Sequence, residues 1–332
     1  MSSHTTDIFS LNNKTILITG GTGSFGKAFV KEVLAHQNPH AIRIYSRDEL
    51  KQFHLQEEIS DSRLRFFIGD VRDKNRLKEA SREADIIVHA AAMKQVPACE
   101  YNPFEAVKTN ILGATNIIEA ALENKVPRVM ALSTDKAVNP VNLYGATKLC
   151  SDKLFIHANA YSGNRPTRFS LVRYGNVLGS RGSVIPLFRR QKQQGYVTIT
   201  DKRMTRFWIS LGQAVELVLK GLQTMKGGEI FIPKIPSMRI TDLADAIAPG
   251  CEQREIGIRP GEKTHEVLIN EEEGRRTIMT DNFYMVLPNH PGCKSTMADC
   301  IPMAENFIYS SDINSSWLSA KDLKNMLSND QA

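Results

Sequence analysis

The segment Thr19-Gly20-Gly21-Thr22-Gly23-Ser24-Phe25-Gly26 constrains this chain more than any other. It follows an apolar run, Thr15–Thr19, and leads directly into an amphipathic stretch, Lys27–His36, so it reads as strand, tight turn and helix start. Glycines at i, i+3 and i+6 remove the Cβ atoms that would block a phosphate, and the N–H groups and dipole of a helix start favour an anion. A turn of this kind is common by itself. Its value here comes from the elements around it. Further short apolar runs at Ala41–Tyr45, Leu64–Ile68, Ile86–His89, Arg128–Ser133 and Arg168–Arg173 read as strands, while Leu77–Glu83, Pro103–Asn124 and Tyr144–Ala160 carry helical spacing. Runs such as Ile16-Leu17-Ile18 lack polar alternation, as expected of strands buried on both faces. The expected fold is α/β: a doubly wound parallel sheet with helices on both sides.

From about Asn176 the rhythm breaks into Gly/Pro/Arg-rich segments, with helices at Leu211–Met225, near Thr241 and at Ser319–Leu327. Residues 1–177, rejoined by 205–231, read as the nucleotide-binding domain. Residues 178–204 and 232–332 read as a smaller C-terminal lobe for substrate, with Asn289–Cys300 an irregular surface segment.

Lys and Arg total 42 against 36 Asp and Glu among 332 residues, a net charge of +6. The basic residues are scattered with no block of five, which argues against a nucleic-acid partner and leaves anionic small ligands to account for the balance. No apolar run reaches the roughly 18 residues of a membrane span, and Met1–Asn13 lacks the layout of a secretory signal, so a cytoplasmic protein with no membrane partner is expected. The five cysteines are odd in number and lack metal-ligand spacing; free thiols and no metal are expected.

Where the second strand ends, the chain reads Tyr45-Ser46-Arg47-Asp48. Arg47 offers a planar cation suited to a ribose 2′-phosphate, which points to NADP rather than NAD, unless Asp48 or Glu49 turns in instead. Asp70 and Val71 close the third strand, and the small residues Ala90 and Ala91 close the fourth, so a nucleotide can lie against bare backbone. Tyr144 and Lys148 stand one helical turn apart on one face, where an ammonium can stabilise the phenolate that accepts a proton from a hydroxyl.

With these motifs together, the chain resembles the extended short-chain dehydrogenase/reductase superfamily over nearly its whole length. Its segments Gly20–Gly26, His89–Pro97, Ser133–Lys136, Tyr144–Lys148, Arg173–Val177, Met204–Trp208 and Arg259–Lys263 are similar to those of the inverting UDP-N-acetylglucosamine 4,6-dehydratases within it. That resemblance implies a Rossmann-type body binding NADP through Gly20, Thr22, Gly23, Ser24, Phe25, Gly26, Ser46, Arg47, Asp70, Val71, Ala90, Ala91, Lys94, Tyr144, Lys148 and Val177. It implies that Lys94, Asn176 and Thr198 contact UDP-GlcNAc, with Arg206 and Arg259 on its diphosphate and Glu262 on its ribose. Thr134, Asp135 and Lys136 would complete the catalytic set: Tyr144 serves a transient oxidation at C4, a Lys136 held neutral by burial and nearby positive charge removes the C5 proton, and Asp135 protonates the departing O6. The assignment of acid and base within that coupled pair stays open. The family further implies a homo-oligomer, commonly a hexamer, opening pseudaminic acid synthesis for flagellin and surface glycans.

Overall fold

The computed structural model describes residues 10–179, 184–289 and 300–329. The first half runs β1 (Thr15–Thr19), α1 (Ser24–His36), β2 (Ala41–Ser46), α2 (Glu49–Glu58), β3 (Leu64–Ile68), α3 (Lys74–Ala80) and β4 (Ile86–His89). It continues through α4 (Val96–Tyr101), α5 (Pro103–Val107), α6 (Gly113–Glu123), β5 (Arg128–Thr134), α7 (Leu143–Tyr161) and β6 (Arg168–Tyr174). The second half comprises β7 (Asn176–Val177), α8 (Val184–Lys192), β8 (Tyr196–Ile199), β9 (Thr205–Ile209), α9 (Leu211–Thr224), β10 (Ile230–Pro233), β11 (Ser237–Arg239), α10 (Ile240–Ile247) and β12 (Glu252–Glu255). After these come β13 (Val267–Ile269), α11 (Glu271–Gly274), β14 (Thr277–Met279), β15 (Phe283–Val286), β16 (Ile301–Pro302), β17 (Tyr309–Ser310) and α12 (Ala320–Asn329).

All six strands expected in the first half form, and they pair in parallel in the order β6-β5-β4-β1-β2-β3. The order reverses between β1 and β4, which opens a crevice at their carboxyl ends. Helix α1 packs with α9, and α6 with α3 and α7. The fully buried Ile16, Leu17, Ile18, Phe29, Val33, Ile87, Phe155 and Phe169 lie in one core, each such side chain contributing about 1.5–3 kcal/mol.

Several details differ, among them the helix expected at Leu77–Glu83, which forms as α3 at Lys74–Ala80. Helix α2 is absent from the sequence reading because only Gln52 and Leu55 of its ten residues are buried, too few to write a helical period. The single helix expected over Pro103–Asn124 is divided into α5 and α6 by a π-helical turn at Lys108–Leu112. The lobe boundary also does not follow sheet membership. Strands β14, β15 and β16, assigned to the lobe, extend the main sheet beyond β10, whereas β9, assigned to the larger domain, pairs with β7 and β11 in a separate sheet. The lobe retains its own apolar cluster, including Phe188, Val197, Trp208, Met238, Leu243 and Leu323. Most of the expected irregular segment Asn289–Cys300 lies outside the described residues, as does Cys293; Cys99, Cys150 and Cys251 are free thiols. Among the described residues, no helix is long and apolar enough to cross a membrane.

Candidate active site

The carboxyl ends of the parallel strands open into one cavity of about 1110 Å³, walled on the far side by residues 259–266 of the lobe. At its floor, Gly20 turns with φ +68°, and a Cβ there would stand 2.9 Å from the Ala91 nitrogen. Only glycine allows the β1 turn to sit so close to the backbone after β4. No side chain caps α1, so its first N–H groups are left for a ligand. An uncapped helix start, a bare-backbone floor and a large cavity together fit a dinucleotide pyrophosphate.

At the adenosine end, Ser46, Arg47, Asp48, Lys51, Asp70 and Val71 line the wall. Asp48, the carboxylate that would suit a ribose 2′-hydroxyl, instead caps α2, accepting from the Lys51 amide at 3.0 Å. Asp70 accepts from Arg72 Nε and Nη2 at 2.9 and 2.6 Å and lies 3.6 Å from Arg47 Nη1. Burial opposes its charge, but Arg72 and Arg47 outweigh it and hold the Asp70 carboxyl below its ordinary range. Asp70 therefore orients Arg47.

The reacting end is built on the turn after β5. Thr134 Oγ1 donates to Asp135 Oδ1 at 2.9 Å, and Lys136 Nζ donates to the same oxygen at 3.1 Å. Helix α7 begins against this turn, with Asn142 capping it through the Gly145 amide at 2.7 Å. A Cβ on Gly145 would fall well inside contact distance of the Lys136 carbonyl oxygen, so this glycine sets how closely α7 approaches the acid/base pair. Sequence reading did not single out Gly145, since close approach between segments leaves no local pattern. It also missed Asn110, which the π-helical turn aims at the strand end. Asn110 accepts from the Met93 amide, donates to the Met93 carbonyl, both at 2.9 Å, and donates to Thr147 at 3.0 Å.

Two electrostatic expectations are corrected. The charges around Lys136 run opposite to those expected to keep it neutral. Burial favours the neutral amine, but Asp135 at 3.1 Å and Glu266 Oε1 at 3.4 Å, two buried carboxylates, raise its pKa above the ordinary lysine range despite the opposing Arg206. Nor is Lys148 the main cation acting on Tyr144. Its Nζ donates to the Leu132 carbonyl at 2.8 Å, and burial lowers its pKa against the pull of Asp152. Burial pushes the Tyr144 phenol up to about 12, opposed chiefly by Lys136 and by a hydrogen bond with Thr134. Spacing on a helix face fixes where a side chain leaves the backbone, not which way a four-carbon stem turns.

Lys94, Asn176, Val177, Arg206, Arg259 and Glu262 all line the cavity. Thr198 does not. It sits on β8, where its hydroxyl accepts from Gln191 and its amide donates to Gln191 Oε1. Arg206 spends its guanidinium on the carbonyls of Thr205, Lys263 and Thr264, so it ties β9 to the facing segment. Arg259 Nη1 lies 3.7 Å from Glu262 Oε1, while Glu262 Oε2 is buried without a partner.

A family model described as polysaccharide biosynthesis protein matches residues 16–288. The chain belongs to that family. Among its relatives, an inverting UDP-N-acetylglucosamine 4,6-dehydratase of Campylobacter jejuni is 53% identical over 95% of this chain and 98% of its own. A UDP-glucose 4-epimerase of Rickettsia bellii is 44% identical over 82% of this chain and 83% of its own. Pen from Bacillus thuringiensis, a solved structure, superposes with a TM-score of 0.90 at 39% identity, covering 97% of this polysaccharide biosynthesis protein and 99% of that chain. The fold is thus shared with that chain over nearly the whole length.

Proposed function

We infer that this polysaccharide biosynthesis protein is an inverting UDP-N-acetylglucosamine 4,6-dehydratase. The observation that carries the reading is that the Asp135–Lys136 pair stands in the same cavity wall as Tyr144 and Lys148. A site that only oxidises and reduces one carbon needs a single proton acceptor at the hydroxyl. Eliminating water also needs one proton accepted at C5 and one delivered to O6. The relative from Campylobacter carries the same activity in its name.

When bound, the nicotinamide cofactor supplies the hydride exchange that oxidises C4 and later reduces C6, so the reaction has no net redox change. The turn Gly20–Gly26 and the start of α1 would hold its pyrophosphate, and Arg47 its 2′-phosphate, making NADP the preferred form. Tyr144 takes the O4 proton; Thr134 fixes the phenol and Lys136 favours its ionised form. A ketone at C4 acidifies the C5 proton. The coupled Asp135–Lys136 pair accepts that proton and returns one to the departing O6 hydroxyl. Protonation of C5 from the opposite face then inverts that centre. Arg259 and Glu262 face the UDP moiety, and Lys94 and Asn176 the sugar.

We read the product as the first intermediate of pseudaminic acid synthesis, made in the cytoplasm by a homo-oligomer, hexameric as in the resembling enzymes. The exposed Tyr101 and Phe104 on α4 and α5 support self-association. The deciding experiment follows UDP-N-acetylglucosamine by NMR in deuterated buffer with NADP present. The expected product is the L-arabino 4-keto-6-deoxy sugar with deuterium at C5. A D-xylo product in the first minutes refutes inversion, and a C4 epimer that keeps its O6 hydroxyl refutes dehydration.

A further inference from the structure

Glu266 lies between the reacting end of the cavity and the lobe, 2% exposed overall. Three cations converge on its carboxylate: Lys136 Nζ at 3.4 Å, Arg206 Nε at 3.8 Å and Lys263 Nζ at 3.9 Å. Its Oε2 has no hydrogen-bond partner. A carboxylate this buried is expensive unless its charge is balanced, and an ammonium between two such groups is correspondingly hard to deprotonate. The backbone of Glu266 is pinned from both sides, because its amide donates to Ser311 Oγ and its carbonyl accepts from the Ser311 amide, both at 2.9 Å. Ser311, just after β17, thus fixes the backbone that bears this carboxylate. From the other side, Lys263 Nζ donates to the Val138 carbonyl at 2.5 Å and Asn142 Nδ2 to the Gly261 carbonyl at 2.7 Å. These bonds clamp the segment bearing Glu266 onto the turn bearing Lys136.

We propose that Glu266 is a positioning residue that keeps Lys136 protonated and aimed beside Asp135 before the reaction begins. Its use at C5 and O6 rests on the dehydratase reading, whereas the charge relation rests on the geometry alone. The groups facing Lys136 are Asp135 on its own turn, Tyr144 on α7, Arg206 on β9, and Lys263 and Glu266 on the facing segment. Asp135 and Glu266 are the only carboxylates among them. Removing the charge of Glu266 leaves Lys136 with one carboxylate against two nearby cations, and the neutral amine becomes more populated.

The test acylates the full-length protein with acetic anhydride over a pH series and reads Lys136 by mass spectrometry, since only a neutral amine reacts. In Glu266→Gln, Lys136 should label at least about tenfold faster near neutral pH than in the wild type, with exposed lysines such as Lys31 and Lys202 unchanged. In Glu266→Asp, whose shortened side chain keeps the charge, the increase should be smaller. Equal labelling of Lys136 in wild type and Glu266→Gln overturns the proposal. If Glu266→Gln does not fold, as uniform acceleration at every lysine would reveal, Glu266→Ala, which also removes the charge, decides: faster labelling at Lys136 alone supports the proposal, and no rise overturns it. The pH profile of product formation gives a second readout. The limb that reports Lys136 should move to lower pH in Glu266→Gln and return toward the wild-type position in Glu266→Asp. Because labelling needs no substrate, an absent dehydratase product would refute the activity without touching the charge relation, and unchanged labelling the reverse.

Discussion

Replacing Arg47 by Ala tests the cofactor reading at one atom group. Asp70 lies 3.6 Å from the Arg47 guanidinium but is itself held by Arg72 at 2.6 Å, so Arg47 is oriented without being neutralised. Hydrogen bonds to a charged group contribute about 1.5–3 kcal/mol. The Arg47 side chain is 60% exposed, where water and salt screen it, so the lower end applies. A loss of about 1.5 kcal/mol corresponds to roughly tenfold weaker NADP binding. NAD has no 2′-phosphate and should lose less than about twofold, and raising the salt should narrow the gap between variant and wild type. Calorimetric titration of both dinucleotides at two salt concentrations measures this. Equal losses for NADP and NAD would show that Arg47 does not read the phosphate, and Ser46 or Lys51 would then have to carry it.

Gly145→Ala should push the start of α7 off the Lys136 carbonyl and cut turnover at least about tenfold, since displacements near 1 Å at a reacting centre have costs of that order; dinucleotide affinity, set some distance away, should hold within about threefold, and a variant with wild-type turnover would mean the turn yields freely. Arg173 is 1% exposed, donates to both carboxylate oxygens of Glu273 at 2.8 and 3.0 Å and lies 3.6 Å from the buried Asp152. Arg173→Met strands both carboxylates and should cost about 3–5 kcal/mol in urea unfolding, and a change below about 1 kcal/mol would contradict that. His89 is buried, with its Nδ1 2.8 Å from Thr19 Oγ1, and burial pulls its pKa down to about 3. Its folded pKa lies below the unfolded value, so its contribution is present above about pH 6.5 and is lost as pH falls toward 3. Between about pH 7 and pH 5 the linkage amounts to about 2 kcal/mol, and His89→Gln should remove that part of the pH dependence; an unchanged slope in the variant would assign it to other groups.

The strand-and-helix alternation, the glycine turn and the Tyr144–Lys148 spacing were all readable from sequence, because each is a local pattern whose period reports which face is buried. The six parallel strands and most of the residues of the cavity wall follow from those patterns together with the resemblance. What lay outside was everything that depends on two distant segments meeting. Lys136, expected to be neutral through burial and nearby positive charge, stands instead 3.4 Å from Glu266, a carboxylate 130 positions later that favours its charged form. Thr198, plausible by family position, is turned to Gln191 on its own side of the lobe, and Asn110 and Gly145 acquire meaning only through what they touch across the fold. Sequence by itself determined the kind of scaffold and the chemical groups it carries. Tertiary structure decided their charge, since a pKa depends on desolvation and on charges a few ångströms away, and neither distance is written along the chain.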